Sequence, residues 1–196
     1  MLIMYYRFKE NLYLEYGTTH DPEMPWTTSF LSGSMLTDKF NEPLKFIVDN
    51  PANEPPLGIE GICVPAFSKA LVDVFKNNGV DNWQLYDAIL VNEITNQSWD
   101  DYYAVNILGI ISCVDLDASQ VTEIAKRPGG NENNSLYNIH KLVINPDKIQ
   151  GALIFRLAEE PGTIVIHEKL VEALKSNPNP NGLKWGVSCL PIEESS

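Results

Sequence analysis

The spacing of apolar and polar positions changes several times along the chain, and each change predicts an element. Between two aspartate pairs, "DDYYAVNILGIISCVDLD" at 100–117 carries an almost uninterrupted apolar run of 11 residues, Ala104 to Val114. A membrane-spanning helix needs about 20 apolar residues, so the run is too short to cross a bilayer. Val105, Ile107, Ile110, Ile111 and Val114 are β-branched, while Asn106, Gly109 and Ser112 are poor helix formers, so the stretch reads as a strand. Alternation sends Tyr103, Val105, Ile107, Ile111 and Cys113 to one face and Ala104, Leu108, Ile110 and Val114 to the other. Two apolar faces predict an interior strand over 102–114, covered on both sides and placed at the centre of the fold.

Around this centre the pattern predicts short strands near 3–8 and 12–16, then an irregular stretch from His20 to Pro43 that holds Pro22, Pro25, Trp26 and Gly33. A strand follows in "PLKFIV" at 43–48, before the loop "NPANEPPLG". "VPAFSKALVDVFKNNG" predicts a helix, with Pro65 at its entry, Phe67, Ala70, Leu71, Val74 and Phe75 as its apolar stripe, and Gly79 at its end. "NWQLYDAILV" at 82–91 is a strand that leads through a polar loop into the central one, antiparallel to it. "ASQVTEIAKR" permits a short helix capped by Asp117 or Ser119, and 128–135 is a loop.

In the last third, "IHKLVI" and "ALIFRL" are strands joined by the turn-forming "NPDKIQG", and "TIVI" is another. The helix "EKLVEALKS", the break "NPNPNG" and a closing strand in "LKWGVSC" end the series, with no internal repeat. The expected fold is α+β: a mixed, largely antiparallel sheet with a few packed helices in one compact domain over 1–196. Residues 1–60 form its irregular, strand-poor part and 61–192 its α+β core.

An apolar fraction of 44% and a charged fraction of 20% are ordinary for a globular protein and exclude wholesale disorder. Arg7 and Lys9 interrupt the start before a signal-peptide core could form, which predicts a cytoplasmic protein. Three cysteines, Cys63, Cys113 and Cys189, have no C-x-x-C spacing and read as buried thiols rather than a disulfide framework or zinc knuckle.

Charge changes the picture more. The net charge of −12 argues against nucleic acid as a partner, because such binding rests on lysine and arginine displacing condensed counterions. Residues 1–120 hold 17 acidic and 6 basic side chains and the remainder 9 and 8, so −11 of the −12 lies in the first part. Such a surface fits a basic partner, and equally plain solubility.

Motifs that would carry chemistry are incomplete. "DLDASQVTEIAK" opens like a calcium loop but has Gln120 where the turn needs glycine and Lys126 where the bidentate glutamate belongs. "HEKLV" at 167–171 puts Val171 in place of the second histidine of a zinc-protease helix, and "GIEG" at 58–61 is neither a phosphate loop nor a dinucleotide fingerprint. No metal or cofactor is expected. A cysteine nucleophile could combine Cys113 with His140 as base and Asp115 as orienter. However, an apolar strand and nearby aspartates both oppose a thiolate.

The order "YYAVNILGIISCVDLDAS", "IHKLVINPDKIQGALIFRL", "TIVIHEKLVEALKSNPNPNGLKWGVS" resembles immunity family eleven of the bacterial polymorphic-toxin systems, also catalogued as a domain of unknown function. The residues that carry the pattern are Cys113, Asp115 and Ser119, then Ile154, Phe155 and Arg156, then Gly182, Leu183 and Trp185. His167 stands where the pattern often has a small residue, a departure that touches helix capping. The resemblance spans 83–190 and is looser before it.

It implies a non-enzymatic inhibitor that binds a cognate toxin and protects the producing cell and its kin. The toxin would be basic, a nuclease being one candidate. Asp100, Asp101, Asp115 and Asp117 are the expected partner-binding residues, one pair at each end of the central strand. Cys113 and Arg156 are expected to be structural, Arg156 in an ion pair with a carboxylate. A small cytoplasmic enzyme and an acidic nucleic-acid mimic or regulatory binding module are the alternatives.

Overall fold

The computed structural model describes residues 4–11, 19–49, 56, 59–61, 63–126, 135–180 and 185–195. Two sheets dominate them. In the first, β1 (Tyr5–Glu10) lies between β14 (Val187–Pro191) and β13 (Ile164–His167), and β12 (Ile154–Leu157) and β8 (Ile110–Ile111) complete five strands. The second has six strands in the order β2 (Thr19–His20), β3 (Leu44–Val48), β6 (Trp83–Asn92), β7 (Gln97–Ile107), β5 (Ala66–Ser68) and β4 (Ile59–Glu60). β9 (Gln120–Lys126) pairs with β10 (Ser135–Lys141), and β11 (Val143–Ile144) with β15 (Glu193–Glu194), as two-stranded ribbons. α1 (Lys69–Asn77) and α2 (Glu168–Ser176) are the α-helices among the described residues. The arrangement agrees with α+β but is dominated by strand. Pairing is mostly antiparallel; β3–β6, β12–β8 and β11–β15 are parallel.

The opening apolar run does not stay in one strand. It begins in β7, antiparallel to β6, and ends that strand at Ile107. Gly109, at φ 105°, then turns the chain so that Ile110 and Ile111 join the other sheet as β8, parallel to β12. An L side chain rarely adopts that backbone angle, which is why the corner falls on glycine. Gly33 packs against the same corner: its carbonyl accepts the Gly109 N–H at 2.8 Å, and a Cβ there would lie 2.6 Å from Ile110 Cγ1. One sheet was expected; this corner makes two.

Three apolar clusters result, separated by the sheets. Val105 and Ile107 of β7, Ile154 of β12 and Ile164 and Ile166 of β13 meet α1 and α2 in the first, between the two sheets. Phe8, Phe67 and Phe75 form its aromatic centre, with Phe8 ring centroids 5.9 Å from Phe67 and 5.6 Å from Phe75. Tyr5, Cys113, Ile144, Phe155 and Val165 make the second, on the far side of the five-stranded sheet. Phe30, Phe46, Leu90, Tyr102 and Ala104 make the third, on the outer face of the six-stranded sheet. From Tyr102 to Ile107 β7 is therefore covered on both faces, as its alternation predicts.

The irregular stretch after His20 roofs the third cluster. Tyr86 meets both Phe30 and Phe40 edge to face, at 5.8 and 5.0 Å between centroids. Buried Asn106 donates to Ser34 O and to Gln84 Oε1, both at 2.9 Å, and Gln84 Oε1 also accepts the Leu36 N–H at 2.7 Å. Polar residues inside the strands thus satisfy the backbone of a segment that has no sheet partner of its own.

Two of the three expected helices form. α1 is shorter than its pattern suggests: Pro65 does not open it, because Ala66, Phe67 and Ser68 pair with β7 as β5, and Ser68 Oγ caps the helix by accepting the Leu71 N–H at 3.3 Å. Gly79, at φ 98°, ends it. α2 matches its segment, and His167 is its cap, Nδ1 accepting the Lys169 N–H at 3.0 Å while the ring meets Tyr5 at 5.2 Å.

The expected helix after Asp117 is strand β9. Ser119 Oγ, instead of capping a helix, accepts the Val143 N–H at 2.9 Å and donates to Val143 O at 3.1 Å, tying this segment to β11. Val121, Thr122 and Ile124 then extend alongside β10, where β-branched residues are at ease. The expected strand at 12–16 lies outside the described residues, as does the start of the closing strand at 183–184. From that closing segment β14 forms over Val187–Pro191.

Candidate functional site

The two aspartate pairs are in different places. Asp100 and Asp101 belong to β7 itself, not to the loop before it. Trp99 and Tyr102 both pack into the third cluster, although residues three apart in a regular strand face opposite sides. The chain resolves this with a bulge. Leu90 is opposite Trp99 and Ala88 opposite Tyr102, leaving Ile89 alone against both Asp100 and Asp101. The extra residue keeps the two aromatic rings inside and leaves the two carboxylates exposed.

That bulge lies on a sheet face that is only half covered. At one end Trp83, Leu85, Tyr103 and Val105 pack against the helices, and Lys69 Nζ sits 5.3 Å from the Tyr103 ring centroid at the margin. Beyond that margin Ile47 of β3 and Ile89 and Val91 of β6 remain half-buried and belong to none of the three clusters. They are neighbours by register, Ile47 opposite Val91 and Lys45 opposite Ile89.

Exposed Asp87, Asp100 and Asp101 edge this strip, and Lys45 and Glu93 form an ion pair across it at 2.9 Å. Two clefts border it. One, of about 780 Å³, includes Lys45, Ile47, Glu93 and Glu42 in its walls. The other, of about 240 Å³, includes Glu42, Leu85 and Asp87.

Asp115 and Asp117 follow β8 in a turn tied to β11, the Asp115 N–H donating to Val143 O at 2.9 Å. Asp115 Oδ1 accepts the N–H groups of Asp117 and Ala118 at 3.2 and 3.1 Å. The Ala118 N–H, followed by the Ser195 hydroxyl, holds its carboxyl below the usual range. Asp115 is thus a turn-former, and Asp117 points to solvent beside it. Both line a cleft of about 330 Å³ with Ser112, Tyr137, Lys148 and Glu159. No residue is shared with the clefts beside Asp87.

Cys113 is fully buried in the second cluster, and burial, with Glu159 adding to it, pushes its thiol up to about 12. His140 is exposed on β10, its Nε2 3.3 Å from Thr122 Oγ1. Among the described residues no hydrogen bond joins Cys113, His140 and Asp115, and no group of three or more His, Cys, Asp or Glu side chains is placed to hold a metal ion. No helix among them is long and apolar enough to cross a membrane.

Arg156 is 1% exposed but not in the expected ion pair: among the described residues no carboxylate lies within salt-bridge distance of it. The turn after β12 brings the Pro161 carbonyl over the guanidinium instead, and Nη1 donates to it at 2.7 Å, while Nε has no partner among the described residues. Burial lowers the group to about 10, so it stays charged at neutral pH.

Sequence reading missed Glu42, Asp87 and the strip Ile47–Ile89–Val91. One signal for them is Asp87, a charge within the strand at 82–91; another is the three-residue spacing of Trp99 and Tyr102, which a regular strand cannot bury on one side.

No curated protein matches the chain. The model of the Immunity protein family (Imm11) matches residues 5–188, nearly the whole length. That span contains both helices, both aspartate pairs and the corner at Gly109. The chain belongs to the Immunity protein family (Imm11).

Proposed function

We propose that this chain neutralises one cognate bacterial toxin by direct, non-covalent binding in the cytoplasm, protecting the producing cell and its kin without a cofactor. Family membership carries the reading: an immunity protein acts on a toxin, and binding is the simplest way for this chain to do so. The surface supports it. Exposed carboxylates beside half-buried aliphatic residues are the materials of a protein interface, whose centre is apolar and whose rim is polar.

The partner is basic, since a net charge of −12 favours rapid association with a positive surface. A toxin that attacks nucleic acid would have that charge. An enzymatic reading has less to stand on, because Cys113, the nucleophile it would use, is buried and its thiol is pushed to about 12.

Co-expression tests the function. Cells producing the C-terminal domain of the protein encoded directly upstream should stop growing, and this chain should restore growth in proportion to its amount. If growth stays arrested while both proteins are soluble and made in comparable quantity, the pairing is wrong.

A further inference from the structure

We infer that the toxin docks on the open half-face of the six-stranded sheet, across the strip Ile47–Ile89–Val91, and that its contacting surface sets lysine and arginine around an apolar centre. The inference rests on the proposed function and assigns it a surface.

Three observations converge there. The three aliphatic side chains are half-buried yet outside every core cluster, so they have surface left to desolvate. The bulge in β7 sets Asp100 and Asp101 directly opposite Ile89. Charge then identifies the occupant. Glu42, Asp87, Asp100 and Asp101 are exposed and form no ion pair among the described residues. Of the cations beside them, Lys45 is already held by Glu93, which leaves Lys39 and, at the margin over Tyr103, Lys69 against four carboxylates. An acidic or neutral partner would have to desolvate these carboxylates without compensation, whereas a basic one pairs with them.

The cleft beside Asp115 is the weaker rival. One of its carboxylates is engaged in a turn, and Lys148 stands in its wall.

The experiment measures binding of purified chain to the C-terminal domain of the protein encoded directly upstream, at about 0.1 M and about 1 M salt. Asp100→Lys with Asp101→Lys should weaken binding about 100-fold at low salt and much less at high salt, chiefly through the association rate. Ile89→Ala should weaken it about tenfold at both, because its contribution is apolar. Asp117→Lys with Glu123→Lys, an equal change of charge elsewhere, should stay within about threefold. Thermal unfolding checks that each variant is folded. Amide hydrogen exchange needs no variant: the wild-type complex should gain protection at 87–91 and 97–101.

If wild type binds, but the Asp100/Asp101 reversal binds equally well and these amides gain no protection, the surface is wrong and the proposed function stands. Should wild type fail to bind at all, the proposed function falls and this inference with it.

Discussion

Cys113→Asp should yield no folded protein, whereas Cys113→Ala should fold and still protect cells. The side chain has no exposure and packs among Tyr5, Ile144, Phe155 and Val165. A carboxylate there would be unpaired and dry, which costs several kcal/mol against a total stability of about 5–15 kcal/mol. Alanine removes only the sulfur and some packing, at about 1–3 kcal/mol.

The same thiol makes stability depend on alkaline pH. Its value rises from 9.0 in the unfolded chain to about 12 in the folded one, so between those values the folded state holds more protons. Stability is then fully present below pH 9 and falls as pH rises toward 12. At pH 10.5 the loss from this group is about 2 kcal/mol. Cys189, raised to about 11, adds to it. Arg156, lowered to about 10, acts in the opposite direction above that pH. Chemical denaturation at pH 8 and pH 10.5 should show a smaller drop for Cys113→Ala than for wild type. Equal drops would mean that the thiol titrates freely, and loss of protection by a well-folded alanine variant would revive the nucleophile.

The second large effect is expected from Phe67→Ala. Phe67 lies on β5 of the six-stranded sheet and has no exposure, and its ring meets Phe8 from the five-stranded sheet and Phe75 from α1. Truncation would open a cavity where both sheets and the helix meet, at a cost of about 3–5 kcal/mol. A chain of ordinary stability would lose about a fifth or more of its total, and its midpoint in urea should fall accordingly. A change below about 1 kcal/mol would mean that the sheets are held together elsewhere.

Phe67 also illustrates what the sequence could convey. Its burial was legible, because it falls in an apolar stripe, but its element was not: pairing of residues 66–68 with β7 overrode a helical period that begins only at Lys69. The run at 102–114 is similar. Two apolar faces correctly implied two covered sides, yet the division of the run between two sheets depends on one positive φ at Gly109, which periodicity does not encode. β9 was misread because Ser119 spends its hydroxyl on Val143, a residue 24 positions away. Arg156 was expected to pair with a carboxylate, but its partner is a carbonyl supplied by a tight turn, which charge pattern does not reveal.

The candidate surface was legible only in part. Asp100 and Asp101 stand out by charge, while their neighbours Ile47 and Ile89 reach them through parallel pairing of β3 with β6, a long-range choice that local pattern does not fix. The charge imbalance of the first 120 residues covers Glu42, Asp87, Asp100 and Asp101 but locates no face.

Titration calorimetry of the purified chain against the purified upstream-encoded toxin domain, followed by intact-mass measurement of both proteins, is the most direct test of neutralisation by binding. Neutralisation by binding requires a saturable, stoichiometric complex without added cofactor, stronger at low than at high salt, and unchanged masses on both sides. Protection of cells with no detectable complex, or a toxin whose mass has been altered after contact with this chain, would contradict it.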